Sequence, residues 1–223
     1  MAATALRLTQ MSRITLFFLH GWGFDSSVWQ KLAGEFQDVR TQFADLGYFG
    51  RQCCPRIEGP VVAVGHSLGS LLLLNKPPRD CRALVAINGF DYFAQKPGSP
   101  GVDPRLISRM LMRFRSASAE VLAEFRRQCR TGTAPDVANV ELLYMHLGLL
   151  LDADARERTN RWNGPILSLQ ADDDPILPAE LQSRVFAEGR AVRRVSRADG
   201  GHVLPLTQPT WCAAQIRSLL AQL

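Results

Sequence analysis

Val61-Val62-Ala63-Val64-Gly65-His66-Ser67-Leu68-Gly69-Ser70-Leu71-Leu72-Leu73-Leu74 is the part of the chain from which the rest is best read. Val61–Val64 is a short apolar run rich in β-branched residues, the pattern of a strand buried on both faces. Leu68 to Leu74 reads as a helix. Between them lies Gly65-His66-Ser67-Leu68-Gly69, a G-x-S-x-G spacing. Alone, such a spacing occurs often by chance; between a strand and a helix it has a mechanical meaning. The serine occupies a strained turn, and the flanking glycines remove the Cβ atoms that would collide there. The turn presents the hydroxyl at a helix N-terminus, where the dipole favours developing negative charge. The plainer alternative is a Gly/Ser-rich turn that merely starts a helix.

Outward from this unit, short apolar runs alternate with helical patterns, which indicates an α/β fold with a mostly parallel sheet of about six strands flanked by helices. The expected strands are Ile14–Leu19, Arg40–Ala44, Val61–Val64, Ala83–Ile87, Ile166–Gln170 and Val192–Val195. Helices are expected near Ser27–Phe36, Leu68–Leu74, Ala179–Phe186 and Thr210–Leu220, and Leu6 and Leu8 suggest an edge strand or a frayed extension. Two features break the alternation. From Asp91 to Asn163 no strand pattern occurs, and three helical patterns do. The first has Asp103 as N-cap and Pro104 at the first helical position, burying Leu106, Ile107, Met110, Leu111 and Phe114. The second, Ser118–Arg130, offers Val121, Leu122 and Phe125; the third, Asp136–Leu151, is apolar at Val137, Val140, Leu143, Tyr144, Leu147 and Leu150. We expect residues 91–163 to form a helical cap inserted into a core of residues 1–90 and 164–223. The second break is Leu46–Pro60, where a parallel crossover normally needs a helix. Pro55 and Gly59 leave room for one turn at most, so a crossover helix should be missing.

A serine nucleophile needs a base. The histidines are 20, 66, 146 and 202. His66 adjoins the serine and should point away along the turn, His146 lies in an apolar helix pattern that suits a satisfied core histidine, and His20 ends a strand and looks structural. His202, in Asp199-Gly200-Gly201-His202 between the last strand and the terminal helix, can reach back over the carboxyl edge of the sheet. The orienting carboxylate belongs after the preceding strand, in Asp172-Asp173-Asp174-Pro175. We assign it to Asp174, with Asp173 the alternative; turn formation and helix capping account for the others. The order serine, aspartate, histidine suits this topology. Two backbone N–H groups are required for an oxyanion: Leu68, which follows the serine, and Trp22, by position in His20-Gly21-Trp22-Gly23.

Composition bounds the alternatives. At 223 residues and 46% hydrophobic the chain can bury one substantial core. No stretch approaches the roughly 18–20 apolar residues of a membrane span, and no signal-peptide pattern is evident, so a soluble, cytoplasmic protein without membrane association is expected. The five cysteines (53, 54, 81, 129 and 212) are irregularly spaced. They read as reduced thiols, with no metal-ligand spacing. Net charge is +5, but no basic run is interleaved with aromatics, which argues against nucleic acid. The positive charge concentrates locally: between residues 91 and 130 there are eight Lys/Arg against four Asp/Glu. Arg105, Arg109 and Arg113 recur at i, i+4 and i+8 and form one helical stripe, and Arg115, Arg126, Arg127 and Arg130 add to it. Such a stripe is either a solvated face or a dock for an acidic partner.

Taken together, His20-Gly21-Trp22-Gly23-Phe24, Trp29, Asp45-Leu46-Gly47-Tyr48-Phe49-Gly50, Gly65-His66-Ser67-Leu68-Gly69, Asp173-Asp174-Pro175 and Gly201-His202 resemble the α/β-hydrolase superfamily over almost the whole chain outside the helical insertion. The His-Gly-Trp-Gly opening, the Val28-Trp29 pair and the insertion are further similar to the biotin-synthesis esterases, which demethylate pimeloyl-acyl-carrier-protein methyl ester. The resemblance implies an α/β-hydrolase fold and two-step acyl transfer at an ester without metal or organic cofactor, and it favours acyl carrier protein as the acidic partner of the arginines. A free small ester, a thioester or a carbon–carbon bond as substrate, or a non-catalytic binding protein of the same fold, are the competing implications. The chain departs from the family's usual D-x-P-G-x-G-x-S segment, since Asp45–Arg51 lacks the Pro and Ser.

Overall fold

The computed structural model describes residues 14–135 and 138–223; Leu6, Leu8, Asp136 and Val137 lie outside the described residues. The apolar runs become strands β1 (Thr15–Leu19), β2 (Arg40–Ala44), β3 (Val61–His66), β4 (Cys81–Ile87), β5 (Ile166–Ala171) and β6 (Val192–Arg197). They form a parallel sheet in the order β2-β1-β3-β4-β5-β6. β1, β3 and β5 are buried along their whole length, whereas the edge strands β2 and β6 carry polar residues that reach water. That division follows from covering a sheet on both faces while its two edges meet water. The sheet order reverses at β1, whose neighbours are β2 on one side and β3 on the other, with Leu19 level with Gly65. Connections leaving β1 and β3 therefore diverge, and a crevice opens above their carboxyl ends, where ligands of open α/β sheets bind.

The helices are α1 (Gln30–Gly34), α2 (Leu68–Asn75), α3 (Pro104–Ser116), α4 (Ser118–Gln128), α5 (Val140–Asp152), α6 (Arg156–Arg161), α7 (Ala179–Gln182), α8 (Leu204–Thr207) and α9 (Pro209–Leu220). Trp29, buried and 5.0 Å ring to ring from Phe18, anchors the Ser26–Trp29 3-10 turn and α1 against β1. The expected helix over Ser27–Phe36 is thus split, with a 3-10 turn capped by Asp25 ahead of α1. The helix expected to reach Phe186 stops at Gln182. Phe186 sits at φ 56°, outside the right-handed region, and its N–H is taken by the buried Asp91 carboxylate at 3.0 Å.

Residues between β4 and β5 are helical, as expected, with α3, α4 and α5 near their anticipated positions. Asp103 caps α3 by accepting from the Arg105 N–H at 2.8 Å. Ile107 and Phe114 are buried, but Leu106 is 51% exposed, as is Val140 at 43%; both point outward from their helices. A fourth helix, α6, escaped the pattern reading because Arg-Glu-Arg-Thr-Asn-Arg has no apolar periodicity. It is held by tertiary contacts instead: Thr159 donates to Asp91 at 2.9 Å, and Ala155 N–H to the Asp91 carbonyl at 2.7 Å. The two ends of the insertion are therefore tied at one residue.

Leu46–Pro60 contains no helix. Asp45 and Cys53 exchange backbone hydrogen bonds of 2.7 and 3.0 Å across a sharp loop. Where a crossover helix would cover the sheet, a cavity of about 860 Å³ opens over Phe17, Leu19, Ile57, Leu72 and Leu73. The five cysteines are free, Cys53 and Cys54 at the rim of this cavity and Cys129 and Cys212 buried. Among the described residues, no helix is long and apolar enough to cross a membrane.

Asp103→Ala should lower stability by about 1 kcal/mol, the usual cost of losing an N-cap. The checking measurement is a urea titration, in which the midpoint should fall at unchanged slope.

Candidate active site

Strand β3 turns into α2 within one residue, and that residue is Ser67, at φ 50° and ψ −124°. Its N–H donates to the Ile87 carbonyl of the neighbouring strand end at 3.0 Å, and its carbonyl accepts from Ser70 N–H and Ser70 Oγ at 3.0 and 2.6 Å. The turn is this tight because α2 lies almost in contact with the strands. A Cβ at Gly65 would fall 2.4 Å from Ser70 Cα, and one at Gly69 would fall 2.2 Å from the Leu19 carbonyl oxygen. The glycines of the G-x-S-x-G spacing are thus required by close approach rather than by left-handed backbone, which is confined to the serine between them.

The structure brings Ser67, His202 and Asp174 together from three strand ends. Ser67 Oγ donates to His202 Nε2 at 3.0 Å, and His202 Nδ1 donates to Asp174 Oδ2 at 2.8 Å and Oδ1 at 3.1 Å. A carboxylate against Nδ1 holds the proton on that nitrogen and leaves Nε2 free to accept. His202 is wholly buried and Ser67 only 7% exposed. Burial alone would raise the Asp174 pKa; the His202 ring and the N–H groups of Ile176 and Leu177 outweigh it and hold the carboxyl below the ordinary range. A low, ionised carboxylate is what stabilises a neighbouring imidazolium.

Asp173, the alternative carboxylate, turns the other way. It accepts from the Gly201 N–H at 2.7 Å and pairs with Arg130 at 3.3 Å, so it braces the histidine loop without touching the ring. His66 departs from its expectation of pointing away. Its ring lies 5.2 Å from that of His202, and Nε2 donates to the His202 carbonyl at 2.8 Å. Burial, then the neighbouring His202, pushes His66 down to about 3, so it stays neutral. His20 accepts from Leu46 N–H at 2.9 Å and lies 3.4 Å from Asp45. His146 is half-buried rather than a core residue and is hydrogen-bonded to the Tyr48 hydroxyl at 2.7 Å. Asn88, which reading the sequence overlooked, donates to Asp174 Oδ2 at 2.9 Å. The signal available for it was an Asn-Gly pair directly after a strand.

The loop after β1 lies against the serine, since a Cβ on Gly21 would fall 2.9 Å from Ser67 Cβ. Trp22 packs its ring edge-on to Phe125 at 4.9 Å and donates Nε1–H to the Leu143 carbonyl at 2.8 Å, tying this loop to α4 and α5. These contacts hold the residue that follows Gly21, and Leu68 contributes the first N–H of α2, which has no partner inside the helix.

The arginine cluster is less uniform than the sequence suggested. Arg105, Arg109 and Arg127 are exposed, and no ion pair forms at them among the described residues. Arg113 is paired with Glu124 at 3.1 Å and Arg130 with Asp173. Arg126 is a correction: half-buried, it donates to the carbonyls of Gly23 at 2.8 Å and Gly132 at 2.7 Å, and so belongs to the wall above the Trp22 loop rather than to a docking face. No cluster of three or more His, Cys, Asp or Glu side chains able to hold a metal occurs among the described residues.

With this geometry in view, residues 35–215 match the family described as alpha/beta hydrolase. The chain belongs to that family. It is similar to the pimeloyl-[acyl-carrier protein] methyl ester esterase of Salmonella heidelberg strain SL476, at 26% identity over 74% of this chain and 78% of that protein. Among solved structures, an esterase from Exiguobacterium antarcticum superposes with a TM-score of 0.80 at 14% identity, over 94% of this chain and 92% of that one. A bromoperoxidase from Bacillus anthracis gives 0.77 at 15%, over 95% and 92%. Likeness at such identities establishes a shared fold.

Gly69→Ala should cost about 3 kcal/mol, the upper end for overpacking, because the new methyl meets two backbone carbonyls. Gly148→Ala on α5, where nothing lies within 4 Å, should instead gain up to about 1 kcal/mol. Thermal unfolding of the pair checks both signs.

Proposed function

We propose that this chain is a serine-dependent carboxylic ester hydrolase in which Ser67 is the nucleophile, His202 the general base and Asp174 the residue that orients it. The observation that carries this reading is the continuous Ser67–His202–Asp174 hydrogen-bond relay, buried behind a serine on a left-handed turn. His202 Nε2 takes the hydroxyl proton as Ser67 Oγ attacks the ester carbonyl. The resulting oxyanion is held by the N–H groups of Leu68 and Trp22. Collapse of the tetrahedral intermediate expels the alcohol, protonated by the His202 imidazolium, and leaves an acyl-serine. Water, deprotonated by the same nitrogen, then releases the acid and restores the serine. Asp174 stays ionised throughout and stabilises the imidazolium.

The helical insertion acts as a cap over this site, for Trp22, Phe24, Phe114, Phe125 and Leu143 join it to the loop beside the serine. For the substrate we favour the methyl ester of a carrier-bound acyl chain, pimeloyl-acyl-carrier-protein methyl ester, which would put the enzyme in biotin synthesis. The relatives' name supports this, as do the outward-facing Arg105, Arg109 and Arg127, whose exposed charge suits an acidic carrier.

Ser67→Ala should reduce ester hydrolysis by more than about 10⁴-fold, and a fluorophosphonate should label the native chain at Ser67. Labelling elsewhere or retained turnover refutes the nucleophile. Asp174→Asn should be severe and Asp173→Asn mild; the reverse order would move the carboxylate assignment to Asp173. For the carrier, Arg105→Glu with Arg109→Glu should raise KM for carrier-bound ester about tenfold at low salt, the lower end of electrostatic steering. Turnover of a small p-nitrophenyl ester should be unaffected, and equal effects on both substrates would leave the arginines a solvated face.

A further inference from the structure

Asn88 follows β4 in Ile87-Asn88-Gly89, wholly buried and at φ 45°. Glycine adopts that backbone freely, and any other side chain there is strained, asparagine least. Its N–H is fixed by the Leu169 carbonyl of β5 at 2.8 Å, so the residue has no freedom to move. From that fixed point the side-chain amide reaches two elements at once. Nδ2 donates to Asp174 Oδ2 at 2.9 Å and to the Gly201 carbonyl at 3.1 Å, while Oδ1 accepts from Leu204 N–H at 3.4 Å.

The loop it touches needs holding. Gly200 and Gly201 both have positive φ, and His202 hangs between them and α8. Asp173 grips this loop at Gly201 N–H, His66 at the His202 carbonyl and Thr207 at the Gly200 carbonyl. Asn88 grips it on both sides of His202 and, unlike those three in their described contacts, also grips the carboxylate that His202 must meet. Asp174 Oδ1 is already pinned by the N–H groups of Ile176 and Leu177, but Oδ2, the atom closer to His202 Nδ1, has Asn88 as its other donor.

We propose that Asn88 is a positioning residue for the hydrolytic reaction, whose amide fixes the Asp174 carboxylate plane and the height of the His202 loop together, so that Asp174–His202 and His202–Ser67 hydrogen bonds form simultaneously. This rests on the assignment of Ser67, His202 and Asp174 made above. The charged and titratable groups around the Asp174–His202 pair and its loop are His66 at the end of β3, Cys129 at the end of α4, and Asp173 with its partner Arg130. His66 is neutral and the Cys129 thiol is pushed up by burial, then by Asp174, so Asp174 is the neighbouring carboxylate in direct contact with the amide.

Two substitutions test it, each assayed at a temperature where circular dichroism shows the protein folded. Asn88→Gly suits the left-handed backbone and removes only the amide. It should lower kcat on a p-nitrophenyl ester by about 10²-fold, the scale of a misplaced catalytic group, with KM within about twofold of wild type. The His202 Nδ1 proton, followed by NMR, should exchange faster with solvent. Asn88→Asp sets a second carboxyl beside Asp174, and repulsion at that distance makes one of the two hold its proton to a raised pH. At low pH the new carboxyl holds a proton and can donate it to Asp174, replacing one of the two N–H bonds of the amide; as pH rises it loses that proton and repels Asp174. The variant-to-wild-type ratio of kcat should therefore be highest at acid pH and fall as pH rises, a comparison that cancels the titration of His202 common to both. A kcat for Asn88→Gly within about threefold of wild type overturns the proposal, as does a ratio for Asn88→Asp that is flat with pH. Should the wild type hydrolyse no ester, the hydrolase reading fails, and the Nδ1 exchange rate still decides whether Asn88 sets the His202 geometry.

Discussion

Helix α2 lies so close to the ends of β1 and β3 that no side chain fits between them at Gly65 or Gly69. From that approach follows the one-residue turn at Ser67, which must take a backbone conformation costing roughly 1–3 kcal/mol for a residue with a Cβ. The strain is held by the Ile87 carbonyl on one side and Ser70 on the other, both parts of the buried core. A serine on a relaxed turn would lie within the helix surface. Here its hydroxyl stands above the sheet, over the crevice that the reversal of strand order opens.

Everything else at the site is arranged to meet that fixed hydroxyl. Asp174 follows β5 and His202 follows β6, so the two side chains arrive from adjacent strands, and the glycines before His202 let its loop bend back. A loop with that freedom would wander were it not tied by Asp173, Asn88, His66 and Thr207. The buried polar groups are mutually satisfied, as a low-dielectric network must be to stabilise rather than cost. His66 Nδ1 is an exception, as are Trp29 Nε1, Trp162 Nε1 and Gln170 Oε1 elsewhere in the described residues; low basicity keeps His66 uncharged there.

The insertion is closed on itself and then fastened to the core. Asp91 ties its beginning to its end, making a closed unit. Trp22, Phe24 and Arg126 then fasten that unit to the loop beside Ser67, by aromatic edge contacts and by hydrogen bonds to the Leu143 and Gly23 carbonyls. Any motion of that unit against the core therefore also acts on the loop that carries Trp22. On the opposite flank, the absence of a crossover helix leaves the sheet face at Phe17 and Leu19, beside Leu72 of α2, covered by an irregular loop.

The sequence by itself determined the sheet, because apolar runs of strand length, together with two half-polar ones that suit its edges, can be buried only as parallel strands when helical patterns separate them. It also singled out Ser67 and His202, with Asp174 or Asp173 as their carboxylate, and the missing helix in Leu46–Pro60, where Pro55 and Gly59 leave room for one turn at most. Tertiary structure alone decided where α7 ends, since Asp91, far off in sequence, captures the Phe186 N–H. It decided that α6 forms at all, without an apolar face of its own. It separated Asp173 from Asp174, adjacent residues of identical chemistry that turn to opposite partners, and it turned Arg126 from surface charge into a brace. Asn88 and His66 acquired their roles in the same way. Local pattern reports which face a residue presents, but the partner of a buried polar group is set by distant segments converging on it, and one sequence carries no periodic trace of that.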